Sequence, residues 1–376
     1  MTDPSRPDST RRPGFTLVEL LVVILILAIL IALLVPAIAG AVRTARDGQV
    51  SAELNNLATA LADFKNTYGD YPPSRIILPT SNTNGGLATI IASPLSSARV
   101  YNPGNLPDIS VRDLAARSQR YLLKFFPRAT SPAAFNVTRA GNYVILEGHE
   151  CLVFFLGGAP TEDKTTNTWT MTGFSKDPTN PFGGGSNRTR PLYEFPAGRL
   201  LDIYSVPITQ GGAVFNEFPS LVDPLGTGES DSRPYAYFSG YGGNNYDPND
   251  NNFMGFGTAF PGSSSPIPDS VEQDDSQTGS GIFRTFRVTF PPNAISSYAP
   301  NPYTNGDPTG TTVNFINPQT FQIISAGRDR QFGIGGAYVS NSTSSKLPVA
   351  SSETALEPLR GRERDNITNF STGKLD

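Results

Sequence analysis

The sequence predicts an α+β chain: one long N-terminal helix, apolar enough in its first half to cross a bilayer, leading into a strand-containing head rich in loops. Three observations predict it. Every residue from Leu20 to Val35 is apolar. Farther on, Val50, Leu54, Leu57, Leu61, Phe64 and Tyr68 recur at steps of 4, 3, 4, 3 and 4, the period of a single helix face. Beyond Ser74, short aromatic or β-branched runs alternate with turn formers, and 36 Gly and 33 Pro leave little room for long regular elements.

The first element begins at the apolar run. Counted from Phe15 to Val35 it has 21 residues, about 31 Å of helix, enough to span the hydrocarbon of a membrane. Arg6, Arg11 and Arg12 lie ahead of it, and basic residues before a first apolar helix hold that end in the cytoplasm. Glu19 is the anomaly, because an unpaired charge in hydrocarbon costs roughly 3 kcal/mol or more. A cut between Gly14 and Phe15 would supply its partner: the new α-amino group lies at i+4, one helical turn from Glu19. Acid and amine can then neutralise each other within one subunit or between neighbours. Two other readings of the stretch are a secretory signal peptide, cleaved at the Ala37 and Ala39 of "PAIAG", and a plain single-span anchor. The run is longer than the roughly 7–15 residues of a signal-peptide core, and neither reading gives Glu19 a role.

After Pro36 the stripe from Val50 to Tyr68 carries the helix on, with Glu53, Asn55, Asn56, Asp63 and Lys65 off the stripe. "NTYGDYPPS" stops it through Gly69 and the Pro72–Pro73 pair.

The stretch "RRPGFTLVELLVV" resembles the class III signal of type IV prepilins and of type II secretion pseudopilins: a basic leader, Gly14, the aromatic Phe15, then Thr16-Leu17-Val18-Glu19-Leu20 opening an apolar helix. The resemblance implies a pilin-like fold, a long helix packed on an antiparallel β-sheet head, here with large loop-rich insertions. It implies a prepilin peptidase that cuts after Gly14, methylation of Phe15, Glu19 as the assembly residue and Pro36 as a helix bend. It divides the chain into a leader (1–14), a membrane and filament-core helix (15–38), an amphipathic helix (39–66), a periplasmic head (67–340) and a partly flexible tail (341–376). Its implied partners are other copies of the chain, minor pseudopilins, an inner-membrane platform with its ATPase, and the inner membrane itself. Three further phrases are similar to the pseudopilin head: "YGDYPP" where the helix meets it, "DPLGTGESDSRPYAYFS" (Asp223 to Ser239) with Leu225 in place of a tryptophan, and "FQIISAGRDRQFG" (Phe321 to Gly333). The last contains a loop that helps bind calcium in the major pseudopilin. Asp329 holds its acidic position and Arg330 stands where the family has glycine. Asp329, Asp365 and Asn366 are the side chains that would contribute to such a calcium site, which needs about six to eight oxygens.

Within the head, Arg112 to Phe126 reads as a helix, and Glu147 to Leu156 as a short helix or a buried strand. Tyr143–Leu146, Arg199–Val206, Tyr235–Ser239, Ile282–Phe290 and Thr320–Ser325 read as strands. Thr161–Arg190, Gly240–Asp275 and Tyr298–Thr312 read as surface loops. "DPNDNN" (Asp247 to Asn252) opens like an EF-hand loop, but Asn252 replaces the required glycine.

Composition limits the chemistry. A net charge of -4 with no basic run argues against nucleic-acid binding. One cysteine, Cys151, rules out an intrachain disulfide or a Cys-based metal site, and one histidine, His149, would have to serve any His-dependent triad. Nucleophile-elbow, P-loop, dinucleotide and zinc-protease motifs are absent. The sequence thus predicts a structural subunit, not an enzyme: a type II secretion pseudopilin, with a type IV pilus subunit or minor pilin for adhesion or DNA uptake as the alternative, and a membrane-anchored periplasmic enzyme or binding protein as the more distant one.

Overall fold

The computed structural model describes residues 16–92, 111–139, 141–163, 165–166, 168–201, 208–210, 213–215, 218–225, 233–240, 246–247, 250–251, 301–305, 314–333, 335–348 and 360–375. The chain divides into two units, residues 1–48 and 49–376. Helix α1, Leu17–Tyr68, passes from one into the other.

In the first unit α1 is exposed throughout its apolar run, from Leu17 to Val42. It continues through Pro36 without interruption, although a proline at that position leaves the carbonyl of Ala32 without its helical donor. In the second unit the predicted stripe is the buried one: Val50, Leu54, Leu57, Leu61 and Phe64 have at most 1% of their surface exposed. Gly69, in the left-handed region at φ 80°, ends the helix and donates its N–H to the Lys65 carbonyl at 2.7 Å, a termination that glycine makes without steric cost.

The head then adds β1 (Ile76–Pro79), α2 (Gly86–Ala92), α3 (Val111–Phe125), β2 (Tyr143–Leu146), α4 (Gly148–Gly157), β3 (Pro160–Asp163), β4 (Thr168–Met171), β5 (Leu200–Leu201), β6 (Ile208–Gln210), β7 (Ala213–Phe215), β8 (Ser220–Leu221), β9 (Ala236–Ser239), β10 (Tyr303–Thr304), β11 (Phe321–Ser325), β12 (Gly336–Ala337) and β13 (Ile367–Thr368). One sheet has the order β1-β2-β7-β6 and another β13-β11-β9; β3-β4, β5-β8 and β10-β12 form two-stranded pairs. Most pairings are antiparallel, with β2–β7 and β10–β12 parallel. The architecture is α+β, a long helix followed by small antiparallel sheets, consistent with a pilin-like fold.

Segment Glu147–Leu156 resolves as helix. Glu147 and Glu150 form a reciprocal capping box, the Glu150 carboxylate accepting the Glu147 N–H at 2.9 Å, which satisfies orphan donors at the helix start. All ten residues of α4 are buried, so no polar face existed in the sequence to reveal a helical period. Phe64 of α1 meets Phe155 of α4 and Phe125 of α3 edge-on, at centroid distances of 5.8 and 5.2 Å. Phe154 reaches Phe174, Phe182 and Phe218.

One sequence expectation is corrected. Thr161–Arg190 is not merely a surface loop: it holds the β3–β4 hairpin and sends Trp169 and Phe174 into the core. Of the tail expected to be partly flexible (341–376), residues 360–375 are packed on the head: β13 pairs with β11 and Glu363, Asn366 and Leu375 are fully buried. The strand expected over Ile282–Phe290 lies outside the described residues, as do the predicted loops over most of Gly240–Asp275 and parts of Tyr298–Thr312.

What fixes α1 to the head is a charge. Glu53 is 8% exposed and is gripped at both oxygens by Arg199, at 2.8 and 2.7 Å. Tyr235 donates to it at 2.6 Å and Tyr193 at 3.2 Å, and the Arg199 Nε–H reaches the Val222 carbonyl at 3.0 Å. Burial and then the Glu53 charge push the Tyr235 phenol well up, and the Tyr193 phenol up to about 12, so both remain donors. Glu53→Gln leaves the guanidinium without its counterion and is expected to cost about 3 kcal/mol, read as a lower unfolding midpoint of the full chain in detergent. Glu53→Gln combined with Arg199→Leu is expected to recover part of that loss.

Candidate functional site

The N-terminal site starts with Thr16 and Glu19. The Glu19 Oε2 accepts both the Thr16 N–H and the Thr16 hydroxyl at 2.8 Å, and the Glu19 N–H returns to Thr16 Oγ1 at 3.2 Å. This is a T-x-x-E capping box, a signal present in the sequence but overshadowed there by the question of an external counterion. The acid that is costly in an apolar run thus accepts one backbone donor at the helix start, the Thr16 N–H, while the Thr16 hydroxyl oxygen accepts a second, the Glu19 N–H. It also sits at the positive end of the helix dipole. Gly14 and Phe15, the predicted processing residues, lie outside the described residues. Pro36 follows the run at Val35, and the helix resumes its apolar face through Ile38 and Val42.

The second candidate is the loop after β11. Asp365 Oδ2 accepts the N–H groups of Arg328 and Asp329, at 2.7 and 3.0 Å, and Asp329 Oδ1 accepts that of Gln331 at 2.9 Å. Gly327 permits this approach: at φ 66°, any Cβ there would stand 2.4 Å from the Asp365 carbonyl oxygen. Burial, and then the neighbouring Asp365, raise the Asp329 carboxyl to about 6, since both disfavour its charged form. Asn366 is fully buried. Its Nδ2 donates to Tyr303 Oη at 3.1 Å and to the Phe332 carbonyl at 2.9 Å, while its Oδ1 is buried with no hydrogen-bond partner among the described residues. Carboxylate and amide oxygens are the donor types that a hard cation takes. No cluster of three His, Cys, Asp or Glu able to hold a metal occurs among the described residues, so backbone carbonyls or water would have to fill the remaining positions.

Arg330, which replaces the expected glycine, adopts φ 64°. The turn therefore keeps the conformation that favours glycine while carrying a side chain that resists it. The two head phrases noted in the sequence are neighbours in space. Strands β9 and β11 pair antiparallel, with Phe321 opposite Ser239 and Ile323 opposite Tyr237. The Ser325 hydroxyl donates to the buried Asp223 at 2.7 Å, and Leu225, in the place of a tryptophan, is buried in the core.

Sequence reasoning missed three polar clusters. The Glu53 clamp was hidden because Glu53 was placed on the polar side, yet it stands at i+3 from Val50 and i−4 from Leu57, which puts it on the margin of the buried stripe. Arg75, fully buried, pairs with Asp247 at 3.0 Å and Asp250 at 3.4 Å, so the acids that mimic an EF-hand are counterions. Burial and the adjacent Asp247 raise Asp250 to about 7, against the pull of Arg75 and Arg117. Finally, Ser220 Oγ lies 3.0 Å from His149 Nδ1, and His149 Nε2 lies 3.4 Å from Glu147. The trio has the order of a hydrolase triad, but no member is more than 1% exposed, so no substrate reaches it. Cys151 is likewise buried, its thiol raised first by burial and then by Glu150, the environment of an inert cysteine.

Fold and N-terminal site together define a membrane-anchored chain whose exposed apolar helix opens on a class III signal. Residues 9–35 match the family described as the prokaryotic N-terminal methylation motif, which supports a type IV pilin-like protein with a structural role. No curated protein and no solved structure matches the chain.

Relief of the positive φ sets a prediction for the loop: Arg330→Gly is expected to stabilise the head by about 1 kcal/mol, seen as a higher denaturant midpoint. An unchanged or lower midpoint would mean that the Arg330 side chain contributes more than its backbone loses.

Proposed function

We propose that this chain is a pseudopilin, a structural subunit of a type II secretion pseudopilus that is cut by prepilin peptidase after Gly14 and methylated on Phe15. It waits in the bacterial inner membrane with its N-terminus cytoplasmic and its head periplasmic, and then joins copies of itself and minor pseudopilins. An inner-membrane platform and its ATPase drive the growing rod, which pushes folded cargo outward. The observation that carries this reading is the class III signal on a helix left apolar and exposed over its first half. The pairing of β9 with β11, each drawn from a pseudopilin-like phrase, supports the pseudopilin over the pilus subunit. So does the lone cysteine, which leaves no intrachain disulfide to stabilise an adhesive head.

In this mechanism Glu19 has two successive duties. In the single subunit it accepts from Thr16. In the filament it faces the α-amino group of a neighbouring Phe15, where opposite charges in a low dielectric select the register of each added subunit. Calcium is part of the proposal: Asp329, Asp365 and the Asn366 amide oxygen would hold it, and the ion would supply the positive charge that the two crowded carboxylates lack.

Mass spectrometry of the mature chain is expected to show a methylated Phe15 as first residue, with Gly40 in that place pointing instead to signal-peptidase secretion. Glu19→Ala should be processed like wild type yet drop out of filaments, and Gly14→Ala should impair processing. Secretion and surface filaments, assayed separately in a deletion strain, divide pseudopilus from pilus. For the metal, calcium is expected to raise the melting temperature of the wild type and to lose that effect in Asp329→Ala; equal responses would remove calcium from the account.

A further inference from the structure

The apolar run does not end in neutral sequence. Arg43 and Arg46 follow Val42 and are both exposed. They lie at i and i+3, so they share one side of α1. Helix geometry fixes their depth. From Leu20, the first residue past Glu19, α1 rises about 34 Å to Arg43 and about 39 Å to Arg46. A bilayer has about 30 Å of hydrocarbon and about 40–45 Å in all with its two headgroup layers. With Leu20 at the inner edge of the hydrocarbon and Glu19 just outside it, Arg43 falls in the far headgroup layer, about 30–37 Å up, while Arg46 lies just past that layer, and a tilt of about 20° brings it down to about 37 Å, level with the phosphates.

We propose that Arg43 and Arg46 form a binding site for acidic phospholipid headgroups on the far side of the membrane, which sets the depth of the unassembled helix. The occupant follows from depth and charge. Phosphate oxygens are the abundant anions at that level, and guanidinium groups bind them through paired donors while the stems lie along the acyl boundary. Lysine would supply charge without the fork. The only acid nearby in sequence is Asp47, one charge against two. The site also inverts the flanking charge when the leader is lost. Before cleavage Arg6, Arg11 and Arg12 hold the near side; afterwards Arg43 and Arg46 are the basic residues closest to the apolar run, and both lie on the side toward which the subunit must leave.

This inference rests on the membrane-inserted reading of α1 given above, but not on the pseudopilus. Its test is lipid selectivity of the full-length chain reconstituted into phosphatidylcholine vesicles with or without phosphatidylglycerol, read with spin-labelled lipids of each kind. The wild type is expected to prefer phosphatidylglycerol, to lose about fivefold of that preference for each arginine removed in Arg43→Gln and Arg46→Gln, and to lose it in high salt. Glutamine keeps the helix propensity, and protection of the span from protease checks that each variant is inserted. An inserted wild type without preference, or a double variant that retains it, overturns the proposal. So does a preference that survives high salt, which would place the anion's recognition elsewhere. Mass spectrometry of the same sample reads the N-terminus: an unprocessed chain that selects phosphatidylglycerol sinks the pseudopilin reading and leaves the lipid site standing.

Discussion

The bidentate pair of Glu53 with Arg199 is the contact on which the head's hold on its helix depends. A stripe of leucines alone would let α1 slide by a turn and still bury apolar surface, because Val50, Leu54, Leu57 and Leu61 are near equivalents. A carboxylate cannot slide. Glu53 accepts from Arg199, Tyr193 and Tyr235, and any other register would bury it without those partners. Packing supplies the bulk of the attachment and the ion pair supplies its uniqueness, the division of labour that buried polar groups perform in a helix interface.

The same helix carries a second carboxylate in the opposite circumstance. Glu19 has no head around it, only its own helix end, and it meets the difficulty through the backbone donors that every helix N-terminus leaves open. The two acids show why one helix can serve two surroundings. Where the neighbours are fixed in the fold, the acid is gripped by side chains. Where no part of the head surrounds the acid, a local cap serves, since it travels with the residue.

How much of this was legible in the sequence follows from the range of each interaction. The apolar run, the stripe from Val50 to Phe64, the stop at Gly69 and the strands at Tyr143–Leu146 and Phe321–Ser325 are governed by residues close in sequence, and all were readable. The helix at α4 was ambiguous because a helix buried on every side has no pattern. The clusters Glu53–Arg199, Arg75–Asp250 and Ser220–His149–Glu147 were not readable, since Arg199 is 146 residues from Glu53, Ser220 is 71 from His149, and Arg75 and Asp250 are farther apart still. The packing of residues 360–375 within the tail expected to be partly flexible was not readable from neighbours in sequence either. It comes instead from contacts with a loop some 30 residues earlier, Asp365 with Arg328 and Asp329 and Glu363 with Gly335.

That loop shows what such long-range contacts can sustain. An arginine in the left-handed region costs about 1 kcal/mol over glycine, and an isolated turn would shed the cost by relaxing. Here the turn has little freedom to relax. On one side Asp365 holds two consecutive N–H groups, and Gly327 is pressed against the Asp365 backbone. On the other, the Arg330 carbonyl accepts from Arg233 Nε at 3.2 Å, just ahead of the strand β9 that pairs with β11. The strain is therefore carried by a ring of contacts closed by the last residues of the chain. The conformation of the loop, with its two crowded carboxylates, is imposed by the head as a whole and not chosen by the residues of the turn.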